Sequence, residues 1–460
     1  MLRFVSMALL LCVALSADTL IPQSASDVTL TIYNDNRAFV HDIRQTHVTA
    51  GAQKLTYEGV PSQVIPASVV PTFSGIDTQL FSQNYMYDLI SLQSMLTKSI
   101  GRPVTFKTNG PNPVEKTGIL LSDTSPVMVR DDASGAIVSL AHPTQVIFAQ
   151  IPPNMITRPS LVWNIKAASA GTLKVDLKYL TTGISWKSDY VLNLDDDTLD
   201  LMGWITVNNR SGVTYPDARI ACIAGELNRV HERTVPLRTK GVAMAIEPAA
   251  DVAQESFAGY HLYTIPFRET IADRQQKQIR FLDRVGVHYT QYGRMKSHFF
   301  ARNAHRKIRF QNTISFVNTQ ENHLGIPLPN GIVRMYRTDS HGQSRFIGES
   351  RIDNIPEDET VTLTVGTLFD ITGERTITKY VERRGYKNVE TTYTLHNRGK
   401  KTRTLKIEET LPTYGNTIKF KTTCQDICST QKKNAFTRLF TIQLKPKENY
   451  TFTSEFEVYD

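Results

Sequence analysis

Leu173-Lys-Val-Asp-Leu-Lys-Tyr179 sets an apolar side chain at every second position and a charged one between. An extended chain turns successive side chains to opposite faces, so this stretch reads as a strand with one buried and one wet face. The same period of two runs through Val28-Thr-Leu-Thr-Ile-Tyr33, Tyr190-Val-Leu-Asn-Leu194, Val361-Thr-Leu-Thr-Val365 and Thr451-Phe-Thr-Ser-Glu-Phe-Glu-Val458. Half-wet strands belong to antiparallel sheets, because parallel sheets bury both faces and read as continuous apolar runs. Strand and helix do not alternate along the chain. Helical spacing is confined to residues 87–99, where Leu89, Leu92, Met95 and Leu96 share one side ahead of Gly101-Arg-Pro103. The expectation is a mainly β chain of several antiparallel, immunoglobulin-like β-sandwich units with one helix.

At about 100 to 200 residues per domain, 460 residues make two to four domains with ample buried core. Hydrophobic residues are 40% and charged residues 21%, which excludes collagen-like, coiled-coil and wholly disordered classes. Residues 18–82 and 141–228 read as one N-terminal sandwich, with Trp186 and Trp204 as core anchors. Between them, 83–140 reads as a leading helix and four short strands, separated by turns at Asn109-Gly-Pro-Asn-Pro113 and Asp132-Ala-Ser-Gly135. A helix running into short, bent strands predicts a small inserted SH3-like or Sm-like barrel. Residues 229–260, polar then Ala-rich with Pro236 and Pro248, read as a mobile loop, and 261–460 as a C-terminal sandwich region. Trp204-Ile-Thr-Val-Asn-Asn-Arg-Ser-Gly212, Asn312-Thr-Ile-Ser-Phe-Val-Asn318 and Tyr393-Thr-Leu-His-Asn-Arg-Gly399 each run an alternating strand into Asn and a turn, which suggests repeated immunoglobulin-like sandwich units.

Met1-Leu-Arg3, the apolar stretch 4–15 and the small Ser16-Ala17 make a secretory signal peptide over 1–17, too short to span a bilayer as a helix. Leu11 before Cys12 is bulky where a lipoprotein signal has a small residue. No later run of 18 apolar residues exists, so the expectation is an exported protein, periplasmic or outer-envelope associated. Export leaves Cys222, Cys424 and Cys428. Cys424 and Cys428 would stand about 13 Å apart on a straight strand, so a bridge between them requires a turn, which Asp426 and the Ser/Thr-rich flanks suit. An oxidising compartment favours that disulfide. Cys222, in an apolar run, reads as a buried small hydrophobe.

Several segments together resemble a known family. They are Tyr33-Asn-Asp-Asn-Arg-Ala-Phe-Val40, Gln83-Asn-Tyr-Met-Tyr-Asp-Leu89, Gly183-Ile-Ser-Trp-Lys-Ser-Asp-Tyr190, Gly203-Trp-Ile-Thr-Val-Asn208, Tyr260-His-Leu-Tyr-Thr264, Gly325-Ile-Pro-Leu-Pro-Asn-Gly331, Phe346-Ile-Gly-Glu-Ser-Arg-Ile352 and Gly366-Thr-Leu-Phe-Asp-Ile-Thr-Gly-Glu374. The chain resembles the bacterial proteins carrying the domain of unknown function 4139 over nearly its whole exported length. Some of those relatives are mucoidy inhibitor A-like, with a coiled-coil segment that this sequence lacks. The resemblance implies an exported, strand-rich fold and brings no established reaction.

No Gly-x-Ser-x-Gly, His-Glu-x-x-His, phosphate-binding Gly-rich loop or Gly-x-Gly-x-x-Gly occurs in the chain. All-strand glycosidases announce nothing locally, because their two carboxylates lie far apart in sequence, so a carbohydrate-active hydrolase stays as the alternative. Asp195-Asp-Asp197 with Asp200 offers oxygens to calcium, and a solvated hairpin turn explains it equally well. His288, His298 and His305 have no common helical or strand spacing, and no metal or cofactor is predicted.

Charge is more informative. From Arg268 to Arg309 eleven Arg and Lys face three acids, a net of +8, the same as the formal charge of the whole chain. Arg294, Lys296, Arg302, Arg306, Lys307 and Arg309, interleaved with Tyr289, Tyr292, Phe299 and Phe300, suit a surface that meets phosphate, sulfate or carboxylate groups through Arg forks. Alternating Arg and Lys on the wet face of strands explains the same pattern. For an exported chain, the partner to expect is a protein or an anionic envelope glycan or lipid, and not nucleic acid. The reading is a noncatalytic envelope scaffold that binds by its surface.

Overall fold

The computed structural model describes residues 18–21, 27–108, 112–140, 142, 145–152, 155–224, 253–257, 260–298, 305–410 and 417–459. The expected signal peptide 1–17 and most of the expected loop 229–260 lie outside the described residues; Ala253–Phe257, within that loop, is a strand. Strands dominate, and the described residues hold one α-helix. The chain divides into two compact units that interleave in sequence. The first takes in the described residues through Trp186, together with Val207–Ile223 and Tyr263–Lys277, and the second the remainder. The boundary thus falls inside the segment read from sequence as one sandwich.

In the first unit, a four-stranded sheet has the order Asp18–Ile21, Gly51–Glu58, Ser160–Ala167, Thr78–Met86. A larger sheet, mainly of first-unit residues, runs Tyr260–Thr264, Tyr215–Ala224, Asp27–Tyr33, Arg37–Val48, Gly171–Thr182, Val70–Ser74. The period of two is realised as expected: Val28, Leu30 and Ile32 point inward, as do Leu173, Val175, Leu177 and Tyr179. The two sheets meet where Trp163 packs edge-on against Phe73, 5.7 Å between centroids, and where the Arg44 guanidinium lies 3.8 Å from the Tyr57 ring centre.

Within this unit, the helix is Leu92–Ser99, shorter than the expected 87–99. Ser91 is its N-cap: the Ser91 side chain accepts from Ser94 N and the Ser94 hydroxyl accepts from Ser91 N, which fixes the first turn there. Five short antiparallel strands follow in the order Ile137–Leu140, Val127–Asp131, Glu115–Leu120, Pro103–Lys107, Val146–Ile147. They share a small core of Leu96, Val104, Phe106, Leu120, Val127, Val129, Leu140 and Val146. Gly118 permits the close approach, since a Cβ there would stand 2.3 Å from Arg130 O. Among the described residues no pairing joins Ile137–Leu140 to Val146–Ile147, so the expected barrel is an open sheet.

A sheet whose residues belong mainly to the second unit has the order Gln275–His288, Thr198–Asn209, Ile184–Leu194, Gly331–Thr338, Ser344–Ile352. A sandwich follows. Its six-stranded sheet runs Thr360–Thr367, Gln311–Val317, Thr290–His298, Arg403–Thr410, Thr437–Leu444, Cys428–Asn434. Its five-stranded sheet runs His305–Ile308, Ile371–Arg383, Tyr386–Asn397, Asn449–Tyr459, Thr417–Thr422. Their shared core includes Phe310, Tyr393, Leu405, Phe440 and Phe452, with Tyr393 stacked on Phe452 at 5.1 Å. The sheets are antiparallel-rich rather than wholly antiparallel. Asp18–Ile21 with Gly51–Glu58, Asp27–Tyr33 with Tyr215–Ala224, Ile184–Leu194 with Gly331–Thr338, and Thr290–His298 with Arg403–Thr410 pair in parallel.

The three strand-end asparagines do the same work. Asn209 donates to Val213 O and Ile271 O and accepts from Ser211 N. Asn318 donates to Ile326 O and Pro356 O and accepts from Gly325 N; Asn397 donates to Lys401 O and Leu444 O and accepts from Gly399 N. Each is buried and ties a turn to the backbone of another segment. The repeat read from sequence is a repeated clamp.

Trp186 is buried, and its indole donates to Ile223 O at 3.0 Å. Trp204 is a correction. It is only half-buried and belongs to the second unit, because Leu199, Leu201, Ile205 and Val207 share the inward phase of their strand and Trp204 takes the other. The large anchor of the first unit is Trp163, 0% exposed, whose indole donates to Gln83 Oε1 at 2.7 Å.

Candidate functional site

The strand Thr290–His298 keeps its antiparallel neighbour only as far as Arg294, which stands opposite Gln311, while Arg403–Thr410 flanks it on the other side through His298. Its last residues therefore present an edge. His305–Ile308, the edge strand of the five-stranded sheet, pairs with Ile371–Arg383 in the register Arg306 to Arg375 and Lys307 to Glu374. A cleft of about 520 Å³ opens here, lined by Arg294, Met295, Lys296, Ser297, His298, Arg306, Lys307, Ile308, Arg309, Gln311 and Arg375. Five of the six basic residues singled out in the sequence thus converge. Arg302 lies outside the described residues, as do Phe299 and Phe300.

The cations of the cleft are not equivalent. Arg294 is already engaged, its Nε and Nη2 donating to the two oxygens of Glu408 at 3.1 and 3.2 Å. Lys433 stands 3.2 Å from the same carboxylate. Burial pushes the Glu408 carboxyl up, but Arg294 and Lys433 outweigh it and hold the group below its ordinary range. Lys296, Arg306, Lys307 and Arg309 are exposed and have no ion pair with a described residue. No carboxylate is among the residues that line the cleft.

Arg375 was not anticipated. It is 4% exposed, and its Nε and Nη2 have no hydrogen-bond acceptor among the described residues. Glu409, also buried, has both oxygens occupied: the hydroxyls of Tyr393 and Ser454 each lie 2.7 Å away. Burial pushes the Glu409 carboxyl above its ordinary range, against the hydroxyl donors and the Arg375 charge. Arg375 lies 66 residues beyond Arg309, so no local charge run reveals it. The available signal is phase: Ile371, Gly373 and Arg375 share the inward face of one strand, and an arginine in that phase is out of place.

The first half of the basic stretch is spent elsewhere. Arg268 pairs with Asp27, Lys277 with Glu269 and Arg280 with Asp283. Asp195-Asp-Asp197 forms the hairpin turn, with Asp195 N donating to Thr198 O, and Asp196 takes Arg337 and Lys401. The described residues hold no group of three or more His, Cys, Asp or Glu able to bind a metal. A second cleft of the same unit, about 660 Å³, carries Asp196, Arg337, Lys401, Arg403 and Phe369, and one of about 540 Å³ in the first unit carries Asp273 with Arg210 and Arg274. Neither brings two carboxylates together.

Cys424 and Cys428 form a disulfide, 5.2 Å between Cα atoms, across the turn that holds Asp426. Cys222 is free and buried, and burial pushes its thiol up. No helix among the described residues is long and apolar enough to cross a membrane. What the cleft can do chemically is hold oxyanions against several guanidinium and ammonium groups. No family model matches the chain, and no curated protein is similar to it.

Proposed function

We propose that this chain is an exported, noncatalytic scaffold of the bacterial envelope whose C-terminal sandwich binds an anionic envelope glycan in the cleft of Lys296, Arg306, Lys307, Arg309 and Arg375. The observation that carries this reading is the convergence of these cations on one cleft of about 520 Å³ with no carboxylate among its lining residues. A cleft of one sign concentrates its counter-charge and raises the rate of encounter with a polyanion. Residues 1–17 support export, and the resemblance to the domain of unknown function 4139 supports an exported, strand-rich scaffold.

The test is retention on immobilised acidic polysaccharides beside neutral ones of equal length. The acidic polymers are expected to retain the chain, and Arg306→Ala with Arg309→Ala to release it without a change in thermal stability. Equal retention on neutral polymers, or an unchanged double variant, contradicts the proposal. Export has its own readout: the N-terminal residue of the protein recovered from outside the cytoplasm is expected to be Asp18.

A further inference from the structure

The inner wall of the cleft holds an arrangement that general attraction to a polyanion does not require. Arg306 and Arg375 are direct cross-strand partners, so their side chains leave the same face of the sheet from Cβ atoms about 4.5–5.5 Å apart. Like charges set opposite each other in this way repel. One of the two, moreover, is buried, where charge repulsion is least screened by water. Nε and Nη2 form one edge of the Arg375 guanidinium, the pair of donors that grips a carboxylate or phosphate side-on, and neither has an acceptor among the described residues. Arg294, on the six-stranded sheet of the same sandwich, shows the satisfied form of that edge, on Glu408. Glu409, a buried acid near Arg375, has given both its oxygens to Tyr393 and Ser454.

We propose that the inner end of the cleft is a receptor for a single phosphate group, carried as a monoester on the bound glycan and seated between Arg306 and Arg375. The proposal rests on the reading of the cleft as a polyanion site and adds the chemical class of the group it selects. Phosphate fits better than carboxylate on charge and on acceptor count. A monoester carries about −1.5 to −2 at neutral pH and three strong acceptor oxygens, while a carboxylate carries one charge and two oxygens. Two opposed guanidiniums, with Lys296 and Lys307 lining the same cleft, offer more charge and more donors than one carboxylate can use. The bound group supplies the missing acceptor for the Arg375 edge and neutralises the Arg306–Arg375 repulsion at once.

The experiment is a titration of the full chain with inorganic phosphate, followed through arginine Nε–H signals in proton–nitrogen spectra, with acetate at matched ionic strength as the comparison. One Nε–H signal is expected to shift saturably with phosphate and to hold still with acetate, and Arg375→Lys, which keeps the charge and removes the fork, is expected to delete that signal. Phosphate affinity measured by calorimetry is expected to fall about tenfold in Arg306→Ala, a variant at an exposed position that does not depend on core packing. If phosphate moves no Nε–H signal while an acidic polysaccharide still binds, the receptor is overturned and the cleft reading stands. If neither binds, both fall. Equal shifts with acetate overturn the selection of phosphate.

Discussion

Asn209, Asn318 and Asn397 show how much one side chain can organise. Each is buried, uses its amide to donate to two carbonyls, and accepts from a backbone N–H in the following turn. Alanine at Asn318 leaves Ile326 O and Pro356 O without this donor, and each unsatisfied buried group costs about 1–3 kcal/mol. Chemical denaturation of Asn318→Ala is therefore expected to show a loss of about 2–4 kcal/mol, and a loss below half a kcal/mol would mean that the turn is held by something else. Trp163→Ala is expected to cost about 3–5 kcal/mol in the first unit, and Trp204→Ala clearly less because that ring is half-wet. The reverse order of the two would show that the inward phase has been misassigned.

Glu409 gives a pH dependence at the same scale. Its carboxyl is raised above its ordinary range by burial, so the folded chain holds the proton more tightly than the unfolded one. The stability this group contributes is complete below its unfolded value of about 4.3 and is lost as pH rises through the folded value. Glu409→Gln is expected to flatten that decline, its amide oxygen accepting from one of the Tyr393 and Ser454 hydroxyls and its NH2 donating to the other. A wild-type stability that rises over the same interval, with the variant following it, contradicts the assignment.

At the scale of elements, much was legible and the limits have physical causes. Alternation revealed the strands because a half-buried sheet imposes it: Val28, Leu30 and Ile32 face inward, and so do Leu395, Tyr393 and Val389. The same parity, followed through Leu199 to Val207, would have placed Trp204 on the outer face; attention to its size alone misplaced it. The parallel pairs named above could not be read, because each joins strands brought together by long connections that leave no local mark. Arg375 escaped for a related reason, since its partner Arg306 is a neighbour only across a ladder. The turn at Cys424–Cys428 was legible from spacing and composition, and its bridge is formed. Closing so short a loop constrains the unfolded chain by about 2 kcal/mol, so reduction or Cys424→Ser with Cys428→Ser is expected to lower stability by that order. The inserted sheet has its own titration. Asp131 is held down to about 2, first by Lys116, whose ammonium lies 2.6 Å away, and then by Ala133 N. Its contribution is present above the unfolded value of about 3.9 and is lost as pH falls towards 2, so Asp131→Asn is expected to remove the wild-type change over that interval.

For the whole molecule, the deciding quantity is where charge is left over after folding. The formal excess of +8 is matched by the basic stretch from Arg268 to Arg309, but folding consumes its first half in ion pairs with Asp27, Glu269 and Asp283. In the second half, Lys296, Arg306, Lys307 and Arg309 have no ion pair with a described residue, and with Arg294, which is paired, they meet Arg375 in one cleft. Net charge alone therefore overstates the surface available for binding, and composition alone would have spread it evenly. The binding of an acidic polysaccharide measured as log affinity against log salt tests this account most directly. With four or so cations engaged, the slope is expected near −3 for the wild type and about half that for Arg306→Ala with Arg309→Ala. A slope near zero, or one that the two substitutions leave unchanged, would contradict it.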